Sequence, residues 1–315
     1  MNVKRVFLYL SARRQIAAIL ILALIVRVAL ALISDNINHP DENYQVMEQA
    51  HRLVFGYGII PWEYRFDARS WLIPGLMTVL LYPFKLLGLD NPNIYIPGIR
   101  ILFSILSLSM VWAAYRIGKK LCSEMAGLMA AFICAVWYEM VYFSIRPLSE
   151  VWAAIFFMVA LALSLGDKKR EIVISAILTV MVAAVRINYI PLTILLSAIS
   201  LSEMNRENRR IYILASISMI VMIGVFESIT LGKPYISYYH YYNMDRSYFM
   251  AGSIGSVLSV AYLWNLAHAS LYLYWFIPVA GLIFYQRVKK LVALIVIVLF
   301  THLLIPAQNL QIDYR

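Results

Sequence analysis

Charge is scarce in this sequence. Only 14% of its 315 residues are Asp, Glu, Lys or Arg, against about 25% in a soluble domain. Hydrophobic residues make up 62%, and mean hydropathy is +0.74. That deficit leaves no room for a soluble domain of useful size. Cysteine is nearly absent: Cys122 and Cys134 are the only two, and the second lies inside an apolar run, so a disulfide framework is not expected. The five histidines show no His-x-x-x-His spacing and no Cys-x-x-Cys companion, so a zinc site is not expected either. A Gly-rich phosphate loop and a Walker-type lysine are missing, which argues against a nucleotide-driven pump or a nucleotide-sugar enzyme. There is no fixed-period repeat and no low-complexity tract. No cofactor and no metal are expected.

What is present is a series of apolar runs, close to the ~20 residues that a membrane-crossing helix needs. They fall at about 15–34, 99–117, 124–144, 150–166, 171–186, 189–203, 211–231, 270–286 and 291–306. The fold class that follows is an all-α polytopic membrane protein with about nine spans. The start, "MNVKRVFLYLSARRQ", resembles a signal-peptide n-region. The apolar stretch after it is long and lacks a clear cleavage site, so it reads as an uncleaved first helix.

Net charge is +10. The basic residues sit in short clusters between apolar runs, which indicates topology and not nucleic-acid binding. The clusters are Lys4/Arg5/Arg13/Arg14, Arg116/Lys119/Lys120, Lys168/Lys169/Arg170, Arg206/Arg209/Arg210 and Arg287/Lys289/Lys290. Nine spans put all five on one face, as the cytoplasmic excess of Lys and Arg requires. Reading 171–203 as one long helix would split them, so a hairpin is expected. The same parity makes "WLIPGLMTVLLYPFKLLG" (71–88) an interfacial or re-entrant segment. Two large loops then lie on the other face, at 35–98 and 232–269.

Arg27, Arg146, Glu150, Arg186, Asn188, Glu227 and His302 fall at the outer ends of spans. Each by itself can pair or snorkel. Seven on one side, beneath aromatic-rich loops, suggest a shared polar cavity. The first loop adds "HPDENYQVMEQAHRLV", a helical pattern in which Asp41 or Asn38 could serve as N-cap. The second, "GKPYISYYHYYNMDRSYF", holds six tyrosines between 235 and 248. An interfacial aromatic belt explains them first, though aromatic faces also suit sugar rings and polyprenyl chains.

"HPDENYQVMEQAHRLVFGYGIIPWEYRFDARSWLIPG" resembles the first-loop signature of family 22 glycosyltransferases, a GT-C group. Its members include lumenal mannosyltransferases of N-glycan and GPI-anchor assembly, with prokaryotic relatives. His39-Pro40-Asp41-Glu42, Gln45, Glu48, Gly56, Trp62-Glu63-Tyr64, Arg69-Ser70 and Pro74 all fit. "RPLSE" (146–150) is similar to the family's Arg-containing loop. "FESITLGKP" (226–234) resembles its acidic-then-Gly element, with Glu227 where Asp is usual. "YYHYYN", ending in Tyr242 and Asn243, resembles its aromatic-Asn segment. One element departs: "HLLIPAQNLQIDYR" begins like the family's late outer motif at His302 and Pro306, then loses its His, Lys, Glu and Arg. A frameshift that shortened the chain and impaired activity is the expectation, and an intact gene frame with nothing family-like in the shifted frame would refute it.

The resemblance implies a single GT-C-type helical bundle over 1–315, with short helices in its two outer loops. It implies a metal-independent, inverting transferase that takes a hexose, expected to be mannose, from a polyprenyl-phosphate donor to a hydroxyl of a glycan acceptor. Asp41 is the candidate base, with Glu42 as substitute. Arg146, Arg186 and His302 are candidates for the phosphate. His39, Gln45, Glu48, Trp62, Glu63, Tyr64, Arg69, Glu150, Glu227, Tyr242 and Asn243 are candidates for binding substrate, with interfacial anchoring the plainer role for Trp62. The partners are the lipid-linked donor, the acceptor and the bilayer. The membrane is the plasma membrane in a prokaryote and the ER membrane in a eukaryote, with the site on the non-cytoplasmic face. A transporter or flippase, another GT-C transferase, and an inactive member acting as a scaffold remain alternatives.

Overall fold

A computed structural model describes residues 3–34, 36 and 40–250, with side chains described over 11–34, 36 and 40–243. The described residues form helices joined by short connections. They are α1 (Val3–Ile33), a π-helical turn (Glu42–Met47), α2 (Glu48–Phe55), α3 (Trp62–Arg65), α4 (Leu72–Leu86), α5 (Pro92–Leu121), α6 (Glu124–Val136) and α7 (Tyr138–Phe143). After these come α8 (Ser149–Ser164), α9 (Lys169–Val185), a 3-10 turn (Ile187–Tyr189), α10 (Ile190–Glu203), α11 (Arg206–Leu231) and α12 (Ile236–Met250). Among the described residues, three stretches are long and apolar enough to cross a membrane: Ser11–Ile33, Pro92–Leu121 and Arg206–Leu231. The expected spans at 270–286 and 291–306 lie outside the described residues.

Local chemistry sets most boundaries. Asn91 caps α5 by accepting from the Asn93 N–H at 2.9 Å, with Pro92 at the first helical position, where a missing N–H costs nothing. Ser123 caps α6 and Asn205 caps α11 in the same way. Gly232 ends α11 at φ 82, a left-handed conformation that glycine adopts without a Cβ clash.

Two expectations change. The run 124–144 is not one helix: it breaks at Trp137, which is extended at ψ 127 between α6 and α7. The cause lies far away in sequence. Arg27, 1% exposed near the end of α1, donates to the carbonyls of Ala135 at 3.1 Å and Cys134 at 2.9 Å. It thereby caps the last turn of α6, whose carbonyls have no partner within the helix. Asp41 is also not an N-cap. It is itself helical, at φ −62 and ψ −29, and makes no capping hydrogen bond, while Asn38 lies outside the described residues. The 171–203 stretch does break, at extended Arg186. The segment 71–88 forms the 15-residue α4, about 22 Å long at 1.5 Å per residue and short for a ~30 Å core.

The ends of α5, α6, α9 and α11 are joined by ion pairs. Arg116 at the end of α5 forms a two-pronged ion pair with Glu171 at the start of α9, one prong 3.1 Å long. Lys119 meets Glu124 at the start of α6 at 2.6 Å, and Lys169 meets Glu207 at the start of α11 at 2.6 Å. Three basic clusters therefore gather at one end of the bundle. Close packing holds α5 to α6: a Cβ at Gly127 would lie 2.6 Å from the Tyr115 carbonyl oxygen, so glycine lets the two backbones approach. The main apolar core lies between α2, α4, α5, α8 and α9, around Met77, Leu81, Ile99, Phe103 and Trp152. The rings of Phe103 and Trp152 meet edge to face at 5.2 Å, a favoured aromatic geometry.

Candidate functional site

A cleft opens at the end of the bundle opposite those ion pairs. About 570 Å³ of empty space lies in it, open solvent included. The first loop contributes Gln45, Tyr64, Arg69 and Ser70. The end of α9 and the turn after it contribute Ala184, Arg186 and Asn188, α8 contributes Ser149, and α12 contributes Ser237, Tyr238 and Tyr241. Val46, Ile73 and Val185 belong both to the cleft wall and to the main core, so the polar rim rests on a rigid apolar base.

Three ionic groupings shape this end. Glu63, 6% exposed, accepts from Gln45 Nε2 at 2.7 Å and from the Arg69 guanidinium at 3.5 Å. The Tyr64 hydroxyl donates to the Gln45 carbonyl at 2.7 Å, and burial pushes its pKa well above the ordinary phenol value. In the second grouping Arg146 Nη1 donates to Glu42 at 2.9 Å and to the Asn36 carbonyl at 3.1 Å. Nη2 donates to Asn36 Oδ1 at 2.8 Å. The guanidinium also lies 4.4 Å from the Tyr142 ring centroid, close enough for cation–π attraction. In the third, Arg186 pairs with Glu150 and donates to Ser149 Oγ at 3.2 Å. Asp41, Arg69, Tyr189 and Tyr241 all act electrostatically on the Arg186 guanidinium.

The predicted residues thus divide by position. Gln45, Tyr64, Arg69 and Arg186 line the cleft, Glu150 pairs with Arg186, and Asp41 lies outside the cleft lining, in electrostatic range of Arg186. Glu42, Glu63 and Arg146 are buried behind the wall. Glu48 accepts from the Ile59 N–H at 2.7 Å and braces the loop after α2. Glu227 is fully buried and accepts from the backbone N–H and hydroxyl of Ser237, which fixes the start of α12. Trp62 is 44% exposed and Tyr242 60% exposed. Asn243 is exposed as well, and none of these three lines the cleft. His39 and His302 lie outside the described residues.

Sequence reasoning missed Ser149, Ser237, Tyr238 and Tyr241. A helical reading of 236–250 would have found the tyrosines. Residues 238 and 241 are three apart and share one helix face, while Tyr239 and Tyr242 lie on the other, 64% and 60% exposed. The Tyr238 hydroxyl donates to the Ala184 carbonyl at 2.9 Å, and His240 Nδ1 lies 2.9 Å from the Phe66 carbonyl oxygen. These contacts close α12 over the cleft.

A model of the Alg9-like mannosyltransferase family matches residues 18–244. Mannosyltransferase APTG1 of Arabidopsis thaliana is 40% identical over 89 residues, 28% of this chain and 16% of that protein. GPI mannosyltransferase 3 of Yarrowia lipolytica is 44% identical over 68 residues, 22% of this chain and 13% of that protein. GPI alpha-1,2-mannosyltransferase 3 of Bos taurus is 28% identical over 124 residues, 39% of this chain and 23% of that protein. The matched stretches therefore span less than a quarter of each of these relatives. No solved structure matches the chain.

Proposed function

Because the chain belongs to the Alg9-like mannosyltransferase family, we propose that it transfers mannose from a polyprenyl-phosphate donor to a hydroxyl of a lipid-linked or surface glycan, with inversion at the anomeric carbon. The observation that carries this reading is the cleft that Arg69 and Arg186 line, with Asp41 in electrostatic range of Arg186. The reaction requires a carboxylate as base and cationic groups for the leaving phosphate within reach of one sugar.

The acceptor oxygen attacks C1 of the sugar from the face opposite the phosphate. The new C1–O bond forms as the C1–O(phosphate) bond breaks, and the electron pair leaves on the phosphate oxygen. Asp41 takes the hydroxyl proton. The leaving polyprenyl phosphate needs no general acid, since a phosphate monoester has its second pKa near 6. It does need cationic partners. Arg186 is assigned that task. Arg146 acts indirectly, by holding Glu42 and Asn36 on either side of the segment that carries Asp41. The basic clusters at the far end of the bundle support placing the cleft on the non-cytoplasmic face, where a lipid-borne donor presents its phosphate. The transporter alternative is not favoured, since the family and the named relatives are transferases.

The test is Asp41→Asn in membranes supplied with labelled polyprenyl-phosphate mannose. Loss of a general base lowers kcat by about 10²–10⁴ at unchanged protein level and nearly unchanged donor KM. Transfer at the wild-type rate removes Asp41 from the mechanism.

A further inference from the structure

Glu63 does not line the cleft, yet it holds two residues that do, Gln45 and Arg69. An ionised carboxylate only accepts hydrogen bonds, so it decides which end of the Gln45 amide faces it. The NH₂ end donates to Glu63 at 2.7 Å. The reverse orientation would set oxygen against oxygen. Gln45 Oε1 is thereby turned from Glu63, and it is buried with no donor to meet. Arg69 Nε is likewise buried with no acceptor. The Tyr64 hydroxyl donates to the Gln45 carbonyl and holds the backbone from which the side chain reaches. One unmet acceptor and one unmet donor thus sit on two cleft-lining side chains that share the Glu63 carboxylate, and buried polar groups are nearly always paired.

We propose that Gln45 and Arg69 read a hydroxyl pair of the transferred hexose, with Glu63 as the positioning residue that fixes their polarity. The Gln45 carbonyl accepts one hydroxyl proton, and the Arg69 Nε–H donates to the oxygen of the adjacent hydroxyl. Small turns of both side chains on binding bring these atoms to the sugar. Vicinal hydroxyls supply one donor and one acceptor side by side, which a phosphate or a polyprenyl chain cannot. The proposal rests on the transferase reading above and adds which chain atoms recognise the sugar.

The test uses the full chain in detergent or nanodiscs. The Kd of a short-chain polyprenyl-phosphate mannose and of its monodeoxy analogues is measured by tryptophan fluorescence. The wild-type chain should bind one or two adjacent deoxy analogues about 10- to 100-fold more weakly, the cost of leaving a built hydrogen bond unmade. Gln45→Met should lose about the same factor for the parent donor and no longer distinguish that analogue. Glu63→Gln should raise the donor Kd, and the swap Gln45→Glu with Glu63→Gln, which again leaves an acceptor toward the cleft, should restore the discrimination. Equal binding of every deoxy analogue by the wild-type chain overturns the proposal without recourse to any variant. So does a Gln45→Met loss that is uniform across the series. Failure of the wild-type chain to bind either polyprenyl phosphate or its mannosyl form instead overturns the transferase reading, and this inference with it.

Discussion

Replacing Glu42 with alanine strands a buried cation. Arg146 has a side chain 0% exposed, and the Glu42 carboxylate at 2.9 Å, itself 4% exposed, carries the one opposing charge paired with it in the described fold. After the substitution the guanidinium keeps Asn36 and the Tyr142 ring. Those are dipoles and a quadrupole, with no net negative charge. Breaking a buried pair from one side costs about 3–5 kcal/mol. At about 2 °C per kcal/mol for a chain of this size, thermal unfolding in detergent at a fixed scan rate should fall by about 6–10 °C. Glu42→Gln retains an acceptor and should lose less. Glu42→Leu with Arg146→Met removes both charges and should recover most of the loss, since an apolar replacement of a buried pair is often neutral or stabilising. The single and double variants together separate an uncompensated charge from lost packing. An alanine variant that unfolds within about 1 °C of the wild type would refute the view that Arg146 is desolvated and dependent on Glu42.

Leucine at Gly127 should separate α5 from α6, because the first side-chain carbon already meets the Tyr115 carbonyl oxygen at 2.6 Å; a cost of about 1–3 kcal/mol is read as a lower unfolding temperature. Arg27→Leu should uncap α6, at about 1–3 kcal/mol for each stranded carbonyl, and amide exchange should rise at residues 133–137. Alkaline titration gives a third check. The buried phenols of Tyr64 and Tyr238 have folded pKa values raised by burial, with nearby Glu63 and Glu227 adding to the effect and Arg69 opposing it at Tyr64. Their contribution to stability is complete below the unfolded phenol pKa of about 10. It is lost as pH rises toward the higher folded values. Stability should therefore fall above about pH 10, and Tyr64→Phe should blunt that fall.

Much of this was legible in order along the chain. The apolar runs gave the membrane class, because a bilayer permits little else for such segments. The break before 187 followed from charge parity alone, and the ion pairs Arg116–Glu171 and Lys169–Glu207 gather three of the basic clusters on one end. The first-loop motif led to four cleft residues. It could not separate those that line the cleft from those behind it. Glu63 and Tyr64 are neighbours in sequence, yet only Tyr64 reaches the cleft wall, because α3 is a single turn whose faces diverge at every residue.

By itself the sequence determined the membrane class of this protein, the clustering of its basic residues between apolar runs, and the loop that carries its family motif. Each of these depends on composition and on spacing within one segment. The tertiary structure decided which carboxylates are held by arginines and which side chains line the cleft. It paired Arg146 with Glu42 across 104 residues and sent Arg27 across 108 to end a helix. Such choices rest on which buried charge finds a partner once the helices pack, and desolvation makes that partner obligatory.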